Sequence, residues 1–416
     1  MTRTGTVWLC ACAAVAAMAT VHGADLVLRG AKIYTSPSAP PIGDGIVVVR
    51  GSKISAVGRA GSVTVPPRAR ILDCTGMVIA AGFQNSHDHF TESRWDHAAA
   101  QPAARLTEQF TSMFAMYGFT TVVDAAAIFE NSSRLRARVE SGEVLGPRMI
   151  LPVATLFPPH GLPVYADDFQ KTHDWVPDEP ANAAAAVQAV RRNRGEPEDI
   201  VKLFTGSLVT YQDIRPMPLE VARAAVAEAH RQGRLVWAHP SNLEGVKIAL
   251  EAGADVLAHT TSVPGAWTPD LIHDLVSHKM SLIPTLKLWK YVMENAPDPR
   301  VGDQMIGNAV VQLRDFARAG GQVLFGTDVG FMHDYDPTDE YVYMARALSP
   351  MQILASLTTA PAERFHESGR RGRVAAGMDA DLVVLGSDPA QNPRAFADVR
   401  YTIRAGNIVY PIKPVD

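Results

Sequence analysis

The period of the hydrophobic positions changes twice along the chain. Short alternating or apolar runs at 25–28, 45–50, 53–57 and 70–73, separated by Gly, Pro and Ser clusters, predict closely spaced strands joined by turns. Similar runs return at 380–385, 399–404 and 407–410. Two β-rich ends around a different middle predict a small composite β-sandwich domain over 24–80 and 373–416. The middle, 81–372, alternates strand-like runs with segments whose apolar residues recur three and four apart, as in 218–232 and 308–319. Strand candidates are 78–82, 120–124, 148–153, 200–204, 235–238, 256–258, 282–286 and 323–325. Eight strands alternating with helices predict an α/β fold of the (β/α)8 TIM-barrel type.

The N-terminus has a different character. Arg3, an apolar run over 7–21 and Val21-His22-Gly23 have the layout of a cleaved signal peptide over 1–23. The 15-residue run is shorter than the roughly 20 residues that span a bilayer. The expectation is export, periplasmic or secreted, with no stable membrane span. A retained anchor helix is the plainer alternative, and Cys12 has too short an apolar run before it for lipid anchoring to be favoured. Cleavage would remove Cys10 and Cys12, leaving Cys74 and no intrachain disulfide.

Composition narrows the function classes. With 416 residues, 47% hydrophobic and 20% charged, the chain is neither disordered nor a disulfide scaffold. The net charge of -4, or -5 once Arg3 is lost, argues against nucleic acid as a partner, since displacing counterions from phosphates needs a basic surface.

Barrels of this type carry their chemistry at the C-terminal ends of strands. His87 and His89 follow the first expected strand, Lys202 lies in the fourth, His239 and His259 end the fifth and sixth, and Asp328 ends the eighth. Residues two apart in extended backbone share a side, so His87 and His89 can face one cation. Neutral imidazole together with carboxylate suits borderline metals such as zinc. Lys202 sits in an apolar strand where an ammonium is poorly solvated; a neutral amine there can take up carbon dioxide to give an anionic carbamate able to bridge two metals. Asp328, between Gly326 and Gly330, can ligate metal and accept a proton. Singly, each has an ordinary reading: a snorkelling Lys, a turn-capping Asp, a chance His pair. Tyr211 and Arg215 could receive a substrate carboxylate or form a solvated loop pair. His333, Asp334 and Asp336 line the mouth or hold a turn, and His97, His173, His230, His273, His278 and His366 are read as surface residues. The aperiodic stretch 158–182 is long enough to be functional.

The set is similar to that of the amidohydrolase superfamily, in its imidazolonepropionase- and prolidase-like branch. Further similarities are Gly377-Met378-Asp379-Ala380-Asp381-Leu382-Val383-Val384-Leu385 and Thr358-Thr359-Ala360-Pro361-Ala362. The resemblance implies that His87, His89 and Asp328 hold one Zn2+ and His239 and His259 a second, with carboxylated Lys202 between them. It further implies attack by a metal-bridging hydroxide with Asp328 as general base and acid. His160, in Pro158-Pro159-His160-Gly161, resembles a histidine that binds substrate or stabilises the oxyanion. The family often has a carboxylate where this chain has Asn85. Its deaminases commonly place Glu three residues after the fifth-strand His, where this chain has Asn242. The expected function is hydrolysis of a small-molecule amide, an N-acyl amino acid or dipeptide-like substrate. Alternatives are a mononuclear cyclic-amide hydrolase or deaminase, and a metal-loaded binding protein without turnover. A homo-oligomer is possible.

Overall fold

The computed structural model describes residues 25–412 apart from 127, 174, 211, 262–266, 295–297 and 299. The leader expected over 1–23, and Tyr211, lie outside the described residues. Both chain ends enter one eight-stranded sheet. Its order is Asn407–Tyr410, Val399–Arg404, Leu382–Leu385, Val78–Ala81, Leu26–Ile33, Ile42–Arg50 and Lys53–Arg59, with Arg70–Asp73 also pairing Leu26–Ile33. Strand alternation gives the sheet two destinations. Ile79, Ala81, Leu382 and Val384 join Leu28, Val47 and Ile54 in a core of their own, while Val78, Ala80, Val383 and Leu385 pack into the core shared with the helices. Cys74 is free and buried, and burial pushes its thiol up to about 12.

The run at 78–82, expected as the first barrel strand, belongs instead to this end sheet: Ala81 pairs with Leu382 and Val78 with Leu385. Gly82 is where the chain changes sheets. Its N–H donates to Asp381, and a Cβ there would lie 2.3 Å from the Thr120 hydroxyl. The strand that follows, Phe83–Asp88, is buried throughout and carries His87.

Phe83–Asp88 pairs in parallel with Phe119–Asp124, and that with Arg148–Ile150. A second parallel sheet runs Pro152–Leu156, Ile200–Phe204, Val236–His239, Val256–Ala258, Ser281–Ile283 and Gln322–Val323. The single strand expected over 148–153 is therefore two. Pro152 has no N–H for a ladder, and the Leu151 N–H is taken by the Asp199 carboxylate at 2.8 Å. The strands expected at 282–286 and 323–325 are shorter, because Leu286 opens the helix Leu286–Val292 and only Gln322–Val323 keeps the ladder. Backbone bonds join the two sheets: Ser86 N–H donates to Phe325 at 2.7 Å, and Asp328 N–H to His87 at 2.9 Å. Val123, Ile150, Ile200, Trp237, Val256, Ile283 and Leu324, from successive strands, form one buried cluster, across which the Trp237 N–H reaches the Ser86 carbonyl at 3.0 Å.

Helices pack outside. Leu219–Arg231 buries Val221, Ala222, Ala225, Val226 and Ala229, the three-and-four spacing legible in the sequence. The segment 158–182, aperiodic in sequence, contains a helical turn at Val164–Ala166 and a short helix Asp167–Thr172. Among the described residues no helix is long and apolar enough to cross a membrane.

Leu382 sits fully buried between strands from opposite ends of the chain. Leu382→Ala is expected to cost about 2–5 kcal/mol, read as a lower urea midpoint with an unchanged slope by circular dichroism.

Candidate metal centre

Six residues singled out from sequence lie at the C-terminal ends of the parallel strands, and the structure brings them together. The His89 Nε2 lies 2.8 Å and the His87 Nε2 3.4 Å from the Asp328 Oδ1. Ring centroids of His87 and His259 are 4.6 Å apart, and those of His239 and His259 4.8 Å. The ligand atoms of His87, His259 and Asp328 all lie within 4.8 Å of one another. The Phe204 ring packs on His239 at 4.8 Å and has the Lys202 Nζ 5.4 Å from its centroid.

Local backbone sets this convergence. Asp328, His259, Thr285 and Ser241 all have positive φ, between 42° and 76°, a strained conformation for residues with side chains and one that clusters at functional sites. Gly330 is required beside Asp328: its φ is 94°, and a Cβ there would lie 1.9 Å from the His89 carbonyl. Asn85 ties the first strand to the last, accepting from the N–H of His87 (3.3 Å) and Thr327 (3.1 Å) and donating to the Thr327 hydroxyl at 2.7 Å. An amide does this without adding a second negative charge near Asp328.

The donor set fits a cation. Both ring nitrogens of His87 are buried with no hydrogen-bond partner, a costly arrangement unless a ligand is held. The His89 Nδ1 faces the Ala126 carbonyl at 3.4 Å. A carbonyl only accepts, so Nδ1 is the nitrogen that donates there, and Nε2 is the one turned toward the Asp328 carboxylate. Ser241 donates to the Gly206 carbonyl at 2.9 Å and so accepts from the His239 Nε2, leaving Nδ1 as its free donor atom. Thr285 holds the His259 Nδ1 at 2.6 Å, leaving Nε2. Such partners fix ring orientation and tautomer.

Burial dominates the electrostatics. It lowers His87 to about 3, assisted by the Lys202 charge, and holds His239 and His259 well below the usual imidazole value. Burial lowers Lys202 to about 7, against the opposing pull of Asp328. For Asp328 burial acts upward but is outweighed by the neighbouring histidines, His87 first, so the carboxyl stays well below its ordinary range and is anionic at neutral pH.

Other candidates lie elsewhere. His160 is exposed, and it is its backbone that is engaged: N–H groups of His160, Gly161 and Leu162 donate to the Glu179 carboxylate, and Arg215 donates to the His160 carbonyl at 2.5 Å. Arg215 thus braces the 158–182 segment. His173, expected on the surface, is half-buried, stacked 4.1 Å from Phe169 and paired with Asp96 at 3.0 Å. His333 is exposed and bonded to Glu92 at 3.1 Å. Asn242, standing where a deaminase acid would, accepts from the Gly245 N–H as the N-cap of Leu243–Ala252. Sequence reasoning missed Asp88 and Asp124, paired across adjacent strands. Burial and the Asp124 charge push Asp88 well up, and burial raises Asp124 to about 7. It also missed Thr285 and Ser241, whose roles depend on contacts distant in sequence or on a reversed backbone.

The buried His87, His259 and Asp328 make a candidate metal site at the ends of the parallel strands. The sequence profile of the Amidohydrolase family matches residues 78–412. The chain belongs to that family. An uncharacterized protein of Mycobacterium tuberculosis (strain ATCC 25618 / H37Rv) is 28% identical over 246 residues, 56% of this chain. The match spans 63% of that relative, less than two thirds of its length. An allantoinase of Solibacter usitatus (strain Ellin6076) is 24% identical over 88% of this chain and 86% of its own. Among solved structures, a Xaa-Pro dipeptidase with methionine in its active site superposes with a TM-score of 0.78 at 20% identity, covering 92% of this chain and 99% of the other. The ochratoxinase of A. niger superposes with a TM-score of 0.75 at 17% identity, covering 92% and 95%.

Two expectations follow. Gly330→Ala should displace His89 and lower the metal bound per chain, measured by inductively coupled plasma mass spectrometry, with the circular dichroism spectrum retained. The second concerns pH. With His87 at about 3 in the fold against an ordinary 6.5, the unfolded chain binds a proton that the folded chain refuses, so stability present above 6.5 is lost as pH falls through that window. In chelated protein the urea midpoint should fall across it more steeply than in the His87→Leu variant.

Proposed function

We propose that this protein is an exported, zinc-dependent amidohydrolase that cleaves the C–N bond of an N-acyl amino acid or dipeptide-like amide. The observation that carries the reading is the convergence of His89, His87 and Asp328 within 3.4 Å, beside a His87 ring with no partner of its own. We read the two parallel sheets as one (β/α)8 barrel, supported by the backbone bonds between Ser86 and Phe325 and between His87 and Asp328. The end sheet with its separate core is read as the composite sandwich. The likeness to a Xaa-Pro dipeptidase and to an ochratoxinase supports an amide-type substrate, and Asn242's role as a helix cap disfavours deamination. The signal-peptide-like pattern over 1–23 supports export.

His87, His89, His239, His259 and Asp328 would hold divalent metal, and carboxylated Lys202 would bridge a pair. Bound there, the metal would acidify a water and polarise the scissile carbonyl. The chain's own residues do the rest. Lys202, at about 7, is in part a neutral amine near pH 7; its nitrogen bonds to the carbon of carbon dioxide and releases one proton to solvent, giving the carbamate. Asp328, anionic and held by two histidines, takes the proton of the attacking water and returns it to the leaving nitrogen. Thr285 and Ser241 keep His259 and His239 in the tautomers that leave a lone pair toward the centre.

Chelation should abolish hydrolysis across a panel of N-acyl amino acids and dipeptides, and zinc should restore it. Asp328→Asn should lower kcat by about 10²–10⁴-fold, and short carboxylic acids should rescue Lys202→Ala. Metal-loaded protein inert to the whole panel would overturn the reading, while one metal per chain with unmodified Lys202 would favour the mononuclear alternative.

A further inference from the structure

The loops around the centre carry three aromatic rings that the chemistry above leaves unused. Tyr165, in the Val164–Ala166 turn, meets Phe331 edge-on at 5.1 Å between centroids, and Phe331 meets Tyr291 at 5.9 Å. The rings come from three separate elements: the segment after Pro152–Leu156, the Leu286–Val292 helix, and the turn that begins at Asp328. Phe331 follows Asp328 by three residues, in a turn closed by the Met332 N–H donating to the Asp328 carbonyl at 3.1 Å. Tyr165 is 40% exposed, and Phe331 and Tyr291 are half-buried. Desolvation, then the Asp328 charge, raise the Tyr165 phenol.

Two of the three arms are held rigidly. Glu340, fully buried, accepts the N–H groups of Leu286 and Lys287 at 2.9 and 2.7 Å. Lys287 binds the carbonyls of Asp334 and Asp336 and pairs with the Asp334 carboxylate at 2.7 Å, locking the Tyr291 helix to the segment beyond Phe331. Nearby cations are neutralised: Lys290 pairs with Asp339 and Arg94 with Glu92. What the three rings offer is therefore open aromatic surface, and binding sites for small molecules are lined mainly by such side chains.

We propose that Tyr165, Phe331 and Tyr291 form a receptor for an apolar, preferentially aromatic, side chain of the substrate, and so determine the specificity of the centre. This rests on the amide-hydrolase reading and names the class of amide. N-acetyl-L-phenylalaninamide and N-acetylglycinamide, titrated calorimetrically into the zinc-loaded full chain and assayed for hydrolysis, test it. The phenylalanine compound should bind about tenfold tighter or better. Phe331→Ala and Tyr165→Ala should erase most of that difference with zinc content unchanged. Phe331→Leu, which keeps apolar volume, serves if the alanine variant does not fold, and should weaken the preference. Equal binding of the two compounds by the unmodified protein, or an equal loss for both in the variants, overturns the receptor. A binding preference without cleavage supports the receptor and counts against amide hydrolysis instead.

Discussion

The hydrogen bond from the Asp328 N–H to the His87 carbonyl, 2.9 Å long, joins the first strand of the α/β unit to the last and sets how closely their side chains approach. Residues on either side of it answer to that constraint. Gly326 has no room for a Cβ, which would lie 2.8 Å from that of His87, and Gly330 has none against the His89 backbone. Asn85 reinforces the seam by accepting from backbone N–H groups on both strands. Asp328 itself takes a left-handed conformation, and that strain is tolerated because bonds on both sides over-determine it. Without this join, His89 and Asp328, 239 positions apart in sequence, would have no reason to meet at 2.8 Å.

Bringing these groups together in a buried space has an electrostatic consequence. Burial penalises every charge, so His87, His239 and His259 are held toward the neutral form, Lys202 drifts the same way, and the Asp328 carboxylate persists because the histidines beside it favour the anion. Neutral imidazoles and an anionic oxygen are what a borderline cation binds. The same burial pushes up Asp88 and Asp124, which have no comparable set of histidines to offset it. One environment thus separates carboxylates by what they touch: Asp328 has histidines, Asp88 has another acid.

Much of this was legible in the sequence, for identifiable reasons. Alternation in the end-sheet strands and three-and-four spacing in the helices marked elements that bury one face, while α/β strands such as Ile200–Phe204, buried on both faces, stood out as continuous runs. Histidines, lysine and aspartate at strand ends are improbable companions for apolar runs, and they stood out. What the sequence did not disclose depends on distant partners. Whether 78–82 or 83–88 enters the α/β unit turns on a pairing with Leu382–Leu385, some 300 residues away. The break at Leu151 depends on Asp199 capturing its N–H. Thr285 reads as part of the strand expected at 282–286 and Ser241 as an ordinary loop residue, until a positive φ at each brings its hydroxyl to a histidine. His160 drew attention through its motif, yet the 158–182 segment presents Tyr165 at the aromatic cluster and leaves His160 exposed, because Glu179 collects the N–H groups around residue 160.

The end sheet bears on the site through a short physical path. Ala81 is its last paired residue before the crossing at Gly82, and His87 lies five residues further on in the next strand. A strand of that length is stiff, so the position of the Val78–Ala81 strand limits where His87 can sit. That strand is held in turn by Leu382–Leu385 on one side and Leu26–Ile33 on the other. The C-terminal segment therefore does more than cover apolar surface. By pairing with Val78–Ala81 it anchors the strand from which two histidines project, and the Thr402 hydroxyl, donating to the Ala115 carbonyl at 2.6 Å, ties the same segment to the turn that precedes Phe119–Asp124. Residues at the two chain ends thus reach the centre through backbone pairing, without any of them touching it.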